Sequence, residues 1–232
     1  MTEALDVLGA SVARLRGVVE GLDPDELVAQ AYPSEWRVAD VLSHLGSGAV
    51  IFRRWADDAL AGRSTPEDFA PSVWDEWNAK SPAQVATDLV RADQDYLERL
   101  VAADEAERTR FSFSIGPLTT DFAGFVQLRL NEHVLHSWDV VVVGDPGAGL
   151  PPDATALIVD NLRLTARFSG KPPGEPTRLT VRTTAPGRDI ALELGPDEVG
   201  LVPLSGPDVE ARPDLELPAE ALVRLVYGRL DP

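Results

Sequence analysis

The sequence predicts a two-domain α+β protein, in which a four-helix bundle precedes a small α+β domain with an antiparallel sheet. Apolar residues recur at helical spacing through four long segments of the first half. The Gly- and Pro-rich segment GDPGAGLPPD, at 144–153, interrupts this pattern. Beyond it, apolar and polar residues alternate as they do in β-strands. We therefore place the domains at residues 1–146 and 152–232.

The four amphipathic segments of the first half each predict one helix. Ser81 followed by Pro82 is a typical helix start, and Gly144 is a typical helix end. The connection between the second and third helices contains Trp74 and Trp77 and is too aromatic for a free linker. Four helices of this length predict a four-helix bundle. Their approximate bounds are 5–22, 37–61, 82–102 and 119–143.

The second half alternates between helical and extended patterns. One helix is predicted over residues 153–168, and a closing helix starts near Pro218. Between them, three segments alternate as strands do and are separated by short turns. Strands joined by short turns pair antiparallel. The predicted strands are 177–184, 189–195 and 200–205.

The composition excludes several classes of function. The 232 residues carry a net charge of −17, and binding to nucleic acid or anionic membranes depends on basic patches. No apolar segment is long enough to span a bilayer, and the N-terminus lacks the pattern of a signal peptide. We expect a cytoplasmic, monomeric protein whose partners are small molecules. The scarcity of lysine beside arginine suggests a GC-rich bacterial genome.

The chain has no cysteine, so disulfides, thiolate metal sites and a cysteine nucleophile are all excluded. If the protein uses thiol chemistry, the thiol must come from outside the chain.

The segment NEHVLHSWDV, at 131–140, contains the strongest candidate for chemistry. On a helix, Glu132 and His136 lie one turn apart on one face, close enough to bind one metal ion. His44 lies mid-helix on an apolar stripe and can supply a third ligand from a facing helix. Two histidines and one carboxylate leave a coordination position open, as in catalytic zinc sites and in non-haem iron(II) sites.

Structural alternatives stay open for each of these residues. His44 is also compatible with a hydrogen-bonded core histidine, and Glu132 with His136 is compatible with an ordinary helix ion pair. Asp139, on the same stripe, either ends the helix in solvent or holds a histidine in one tautomer. His133 points about 100° away from Glu132 and should not join the site.

Two motifs and the C-terminal tail carry a resemblance to a known family. YPSEWRVADVLSHLGS places Trp36, Asp40 and His44 at four-residue spacing, NEHVLHSWDV supplies E-x-x-x-H-x-x-D, and the tail reads LVYGRL. With these motifs the chain resembles the mycothiol-dependent maleylpyruvate isomerase family over nearly its whole length. The resemblance implies an N-terminal DinB-like metal-binding bundle and a sterol-carrier-like C-terminal domain. It also implies a zinc ion at His44, Glu132 and His136.

The resemblance further implies catalytic roles for Asp139 and Arg229, with Arg229 also binding the cofactor, and mycothiol as the thiol. Zinc would favour the thiolate of that thiol, which would isomerise or S-conjugate a small electrophile such as maleylpyruvate. A surface arginine at a helix end is the alternative role for Arg229. Two other functions stay open: a non-haem iron(II), oxygen-dependent enzyme, and a non-catalytic, metal-stabilised protein that binds small molecules.

Overall fold

The computed structural model describes residues 3–206, 209 and 212–230. The chain divides into two compact units, Met1–Ala148 and Gly149–Pro232. Within the described residues, the first unit contains helices and one short hairpin, and the second contains a four-stranded sheet with helices. The α+β class predicted from the sequence is therefore confirmed.

Four long helices build the first unit: α1 (Glu3–Val19), α3 (Val38–Leu60), α5 (Pro82–Val101) and α7 (Phe122–Gly144). Each bound lies within three residues of the predicted one. Helix α3 packs on α5 and α7, and α1 packs on α7 and α5. Their apolar stripes meet in one core, which buries residues such as Leu8, Leu42, Leu89 and Phe125. Burial of such stripes is the main driving force for helix association.

Short elements fill the connections between the long helices. They are α2 (Pro24–Leu27), α4 (Phe69–Asn78), α6 (Glu105–Arg110) and the hairpin of β1 (Phe113–Ile115) with β2 (Leu118–Thr120). The connection that contains the two tryptophans includes helix α4, which packs on α3. Trp77 is buried there, whereas Trp74 is about half exposed. The sequence pattern did not predict the short hairpin.

Helix α4 approaches α3 closely at Gly46, because a Cβ at that position would overlap the ring of Trp77. We expect Gly46→Ala to destabilise the protein by about 1–3 kcal/mol through overpacking. Gly9→Ala is the matched control, since its Cβ would meet no atom within 4 Å, and it should stabilise helix α1 by about 0.5–1 kcal/mol. Urea unfolding of both variants measures the two effects. Equal stabilities for the two variants would contradict this reading of the α3–α4 contact.

The second unit contains a sheet with the order β5–β4–β3–β6. Strands β3 (Thr177–Thr184), β4 (Arg188–Leu194) and β5 (Val199–Pro203) pair antiparallel, which confirms the predicted strands. Strand β6 (Leu215–Pro218) was not predicted and pairs parallel to β3, so the sheet is mixed. Asp214 anchors it, because its carboxylate accepts hydrogen bonds from the backbone N–H and the hydroxyl of Thr180.

The helices of the second unit differ from the prediction at one place. The single helix predicted over 153–168 is two helices, α8 (Pro152–Val159) and α9 (Leu162–Ser169). They separate where the Asn161 side chain donates to the Leu157 carbonyl, because such side-chain bonds compete with helix continuation. The closing helix α10 spans Ala219–Val226 and begins directly after Pro218, as predicted.

Among the described residues, no helix combines the length and the apolar character that crossing a bilayer requires.

Candidate metal centre

Helices α3 and α7 bring three potential metal ligands together. His44 lies in the N-terminal half of α3, and Glu132 and His136 lie one turn apart on α7. Asp121 starts α7, because its side chain accepts a hydrogen bond from the Gly124 N–H. The contact between α3 and α7 therefore turns a local i, i+4 pair into a three-residue cluster.

The distances in this cluster are short enough for one ion. One ligand atom from each of His44, Glu132 and His136 lies within 4.8 Å of the others. The Nε2 atoms of His44 and His136 lie 3.4 and 3.6 Å from Glu132 Oε2. Ligand bonds of about 2.0–2.2 Å place two ligand atoms of one ion about 3–4 Å apart. The two histidine–glutamate distances therefore fit a two-histidine, one-carboxylate metal site.

Asp139 holds His136 in the orientation that such a site needs. Asp139 is fully buried, and its Oδ2 lies 2.9 Å from His136 Nδ1. A carboxylate accepts here, so Nδ1 carries the proton and the Nε2 lone pair is available to a metal. Burial of His136 lowers its pKa from the ordinary value of 6.5 and outweighs the opposing effect of Asp139. His136 is therefore neutral at physiological pH, as a ligand must be.

Glu132 is ionised under the same conditions. Burial opposes this, but the hydrogen bond with His44 and the charges of His136, His44 and Arg129 together lower the pKa of Glu132. The side chains of His44 and Glu132 are 38% and 44% exposed. The cluster is thus open to solvent beside His44 and Glu132 and closed beside Asp139, so a small molecule can reach it from one side.

Trp36 forms an aromatic wall beside the two histidines. Its ring stacks on that of His136 at a centroid distance of 5.8 Å and lies 5.3 Å from that of His44. The Trp36 carbonyl accepts hydrogen bonds from Ala31 N–H and the Gln30 side chain, which hold this segment in place. The sequence pattern contained Trp36 but did not indicate its contact with the ligands.

Asp40, the middle member of the W-x-x-x-D-x-x-x-H motif, lies outside the cluster. Its carboxylate accepts a hydrogen bond from the Arg37 N–H, 2.8 Å away, and pairs with the Arg37 guanidinium. Asp40 thus stabilises the start of α3, one turn before His44.

His133 faces the core, as its angle on the helix predicts. Its Nε2 lies 3.1 Å from Asp93 Oδ2, and its Nδ1 lies 2.9 Å from Ser11 Oγ. His133 and the charge of Arg129 offset the burial of Asp93 and lower its pKa, so Asp93 accepts the His133 Nε2–H. The chain of hydrogen bonds from Ser11 through His133 to Asp93 resembles a Ser–His–Asp triad, but all three residues are at most 3% exposed. No substrate can reach Ser11, so we assign the group a structural role.

Sequence reasoning missed Asp93 and Arg129. The signal was present, because Asp93 lies four residues after Leu89 on the apolar stripe of α5. A charged residue on such a stripe predicts a buried partner of opposite charge. Arg129 is that partner, and its Nη2 lies 2.9 Å from Asp93 Oδ1.

Arg229 belongs to the second unit and follows helix α10. Gly228 has φ +67° and turns the chain there, and Arg229 Nη1 donates to the Tyr227 carbonyl at 2.9 Å. Its role with the thiol stays a prediction.

Asp139→Asn should weaken zinc binding by about 10–100-fold. Without the negative charge of the Asp139 carboxylate at Nδ1, the His136 imidazole donates its Nε2 electron pair to the metal less strongly. Asparagine has nearly the volume of aspartate, so the packing around this buried position should be kept. Competition against a chromophoric chelator measures the dissociation constant. An affinity within about threefold of the unchanged protein would show that Asp139 does not support the site.

The metal-free protein should lose stability as the pH falls below 6.5. His136 has a lowered pKa in the folded protein, so the unfolded chain takes up this proton first and is favoured by acid. Glu132 acts in the same direction at lower pH, because its pKa is also lowered from 4.5. Unfolding free energies of chelated protein between pH 7.5 and 5.5 test this. His136→Gln should flatten the slope, and an unchanged slope would contradict the assignment.

The fold and the cluster define a class: an α+β protein whose helical unit bears a candidate two-histidine, one-carboxylate metal centre. The family model described as the mycothiol maleylpyruvate isomerase N-terminal domain matches residues 8–141. This match covers more than half of the 232 residues, so the chain belongs to the mycothiol maleylpyruvate isomerase family. The family predicted from the sequence motifs is confirmed.

Two solved structures share the fold over nearly the whole chain. A crystal structure of the mycothiol-dependent maleylpyruvate isomerase has a TM-score of 0.71 and 13% identity, and the match covers 98% of this chain and 89% of that one. A histidine-to-alanine mutant of that isomerase has a TM-score of 0.70 and 12% identity, with the same coverage. At these identities the likeness establishes the fold alone. No curated protein matches the chain in sequence.

Proposed function

We propose that this protein is a metal-dependent isomerase that uses mycothiol as an external thiol. The observation that carries the proposal is the cluster of His44, Glu132 and His136, with ligand atoms within 4.8 Å of one another, in a member of the mycothiol maleylpyruvate isomerase family. The absence of cysteine is consistent with a thiol supplied from outside the chain.

The donor set favours zinc as the metal. Neutral imidazoles and a carboxylate bind zinc with three protein ligands in catalytic sites, which leaves one position for another molecule. The buried Asp139 supports this arrangement by fixing the tautomer of His136, as carboxylates behind zinc-bound histidines do. A zinc ion held here would favour the thiolate form of a bound thiol and so make it nucleophilic at neutral pH.

The residues of the chain have distinct parts in the proposed reaction. Asp139 keeps the Nδ1 proton of His136, so that Nε2 stays a ligand throughout. Trp36 covers one side of the two histidines and excludes water from it. Arg229 is proposed to bind a carboxylate of the thiol or the substrate through its guanidinium, which suits planar anions.

The proposed substrate is a small activated cis-alkene such as maleylpyruvate. The thiolate adds to one alkene carbon, the C=C π bond breaks, and its electron pair moves onto the conjugated carbonyl as an enolate. The remaining C–C single bond rotates, and the returning electron pair expels the thiolate and restores the double bond in trans. The thiol is regenerated, so substrate and product are isomers. If expulsion did not follow, the product would be an S-conjugate and the protein a transferase.

The test is turnover of maleylpyruvate by zinc-loaded protein with mycothiol, with another low-molecular-weight thiol and with none. We expect isomerisation with mycothiol and a rate at the uncatalysed level without thiol. Accumulation of an S-conjugate by mass would identify a transferase instead. Turnover without thiol that requires oxygen would support an iron(II) enzyme, and no turnover of maleylpyruvate or other soft electrophiles would support a binding protein. Arg229→Ala should raise the KM for the thiol and leave metal content unchanged.

A further inference from the structure

The rotation of helix α7 about its own axis decides whether Glu132 and His136 face His44. Hydrophobic burial does not specify this rotation, because buried apolar side chains surround α7 with no gap larger than about 80°. These side chains are Phe125, Val126, Leu130, Val134, Leu135, Trp138 and Val140. Such a helix can exchange one apolar face for another at little cost, so directional contacts must select the face that meets α3.

A buried polar network supplies those contacts. Arg129 and His133, both on α7, converge on the two oxygens of Asp93 on α5, at 2.9 and 3.1 Å. Ser11 on α1 joins this network from the other side of the His133 ring, where its Oγ lies within hydrogen-bond distance of Nδ1. Each of these side chains is at most 3% exposed. Any other rotation of α7 would leave a buried carboxylate and a buried guanidinium without partners, which is strongly unfavourable.

The same network reaches the helix that bears His44. Arg129 Nη2 also donates to the carbonyl of Leu45, the residue after His44, at 2.7 Å. Gly48, one turn further along α3, leaves room for the guanidinium, because a Cβ there would lie 2.7 Å from Arg129 Nη1. Arg129 thus joins the turn of α3 that carries one ligand to the helix that carries the other two.

We propose that Asp93 and Arg129 are positioning residues for the metal centre: Asp93 anchors Arg129 and His133, and Arg129 aligns His44 with Glu132 and His136. This inference rests on the proposed metal centre for its functional meaning. The alignment itself is a property of the metal-free protein and can be tested separately.

The test compares Asp93→Asn with a matched control elsewhere in the same unit. Asp58, at the far end of α3, is also buried, and it pairs with Arg54 and Arg63 as Asp93 pairs with Arg129. Asp58 lies fourteen residues after His44, or about 21 Å along the helix axis. Asp58→Asn should therefore lower the thermal midpoint, as Asp93→Asn does, without moving the ligands.

Two measurements on the full chain separate alignment from stability. In metal-free protein, NMR should show a nuclear Overhauser effect between the rings of His44 and His136, whose centroids are 4.5 Å apart. Titration with Co²⁺ gives the metal affinity and a d–d spectrum that reports ligand geometry. We expect Asp93→Asn to lose the Overhauser effect, to bind Co²⁺ about 10–100-fold more weakly and to change the spectrum. Asp58→Asn should retain all three properties.

Each outcome decides one proposal. Asp93→Asn with the Overhauser effect, spectrum and Co²⁺ affinity of the unchanged protein would overturn the positioning role. If the unchanged protein binds no Co²⁺ or Zn²⁺, the proposed metal centre fails, and the Overhauser effect still decides the alignment. If Asp93→Asn does not fold, Gly48→Ala replaces it, because it displaces Arg129 from the Leu45 carbonyl and keeps every charge. An unchanged ring contact in Gly48→Ala would then overturn the inference.

Discussion

Replacing His136 by alanine should remove nearly all bound metal. The variant loses one of three protein ligands, which costs more than the roughly 10–100-fold that loss of a supporting contact costs. We expect the affinity for zinc to fall at least about 100-fold. Metal analysis after zinc loading and dialysis should then show about one equivalent in the unchanged protein and less than about a tenth in the variant. His44→Ala should behave in the same way.

Asp40→Ala is the matched control for this loss. Asp40 belongs to the same sequence motif as His44 but pairs with Arg37 at the start of α3. Its removal should cost about 0.5–2 kcal/mol of stability, as loss of a helix cap does, and should leave the metal content unchanged. Equal metal loss in Asp40→Ala and His136→Ala would mean that metal content follows helix stability. Full metal in His136→Ala would refute the assigned ligand set.

Removal of the metal should abolish turnover even at saturating mycothiol. The proposed reaction needs the thiolate, and a free thiol is mostly protonated at neutral pH. A chelator should lower the rate at least about 100-fold, and added zinc should restore it. The rate of maleylpyruvate isomerisation in native, chelated and reloaded protein is the measurement. His136→Ala is the control, since zinc should not rescue it. If the chelated protein kept its full rate, the cluster of His44, Glu132 and His136 would have no metal-dependent role in turnover. Its ion pairs would then have only a structural role.

The features that depend only on residues close together in the chain could be predicted from the sequence. Helical periodicity depends on neighbours three and four residues apart, so the four long helices were predicted within three residues of their bounds. The same locality relates Glu132 to His136, because one turn of helix places them on one face. Alternation likewise predicted β3, β4 and β5, since strands joined by short turns need no distant information.

Two features of the second unit were missed or misjudged, for different reasons. Strand β6 is four residues long, and its pairing with β3 crosses more than thirty positions of the chain. The break between α8 and α9 is local and lies at Asn161, whose side chain donates to the Leu157 carbonyl. Neither feature produces a periodic signal of its own.

The sequence by itself indicated the candidate metal ligands and showed that one helix displays two of them on one face. Only the tertiary structure decided that His44 meets Glu132 across 88 positions of the chain, and that Trp36 flanks both histidines. It also decided that Asp93, Arg129 and His133 share a buried network. The physical reason is that buried apolar side chains lie on all sides of α7, so burial leaves its rotation unspecified until directional hydrogen bonds with α5, α1 and α3 select one orientation.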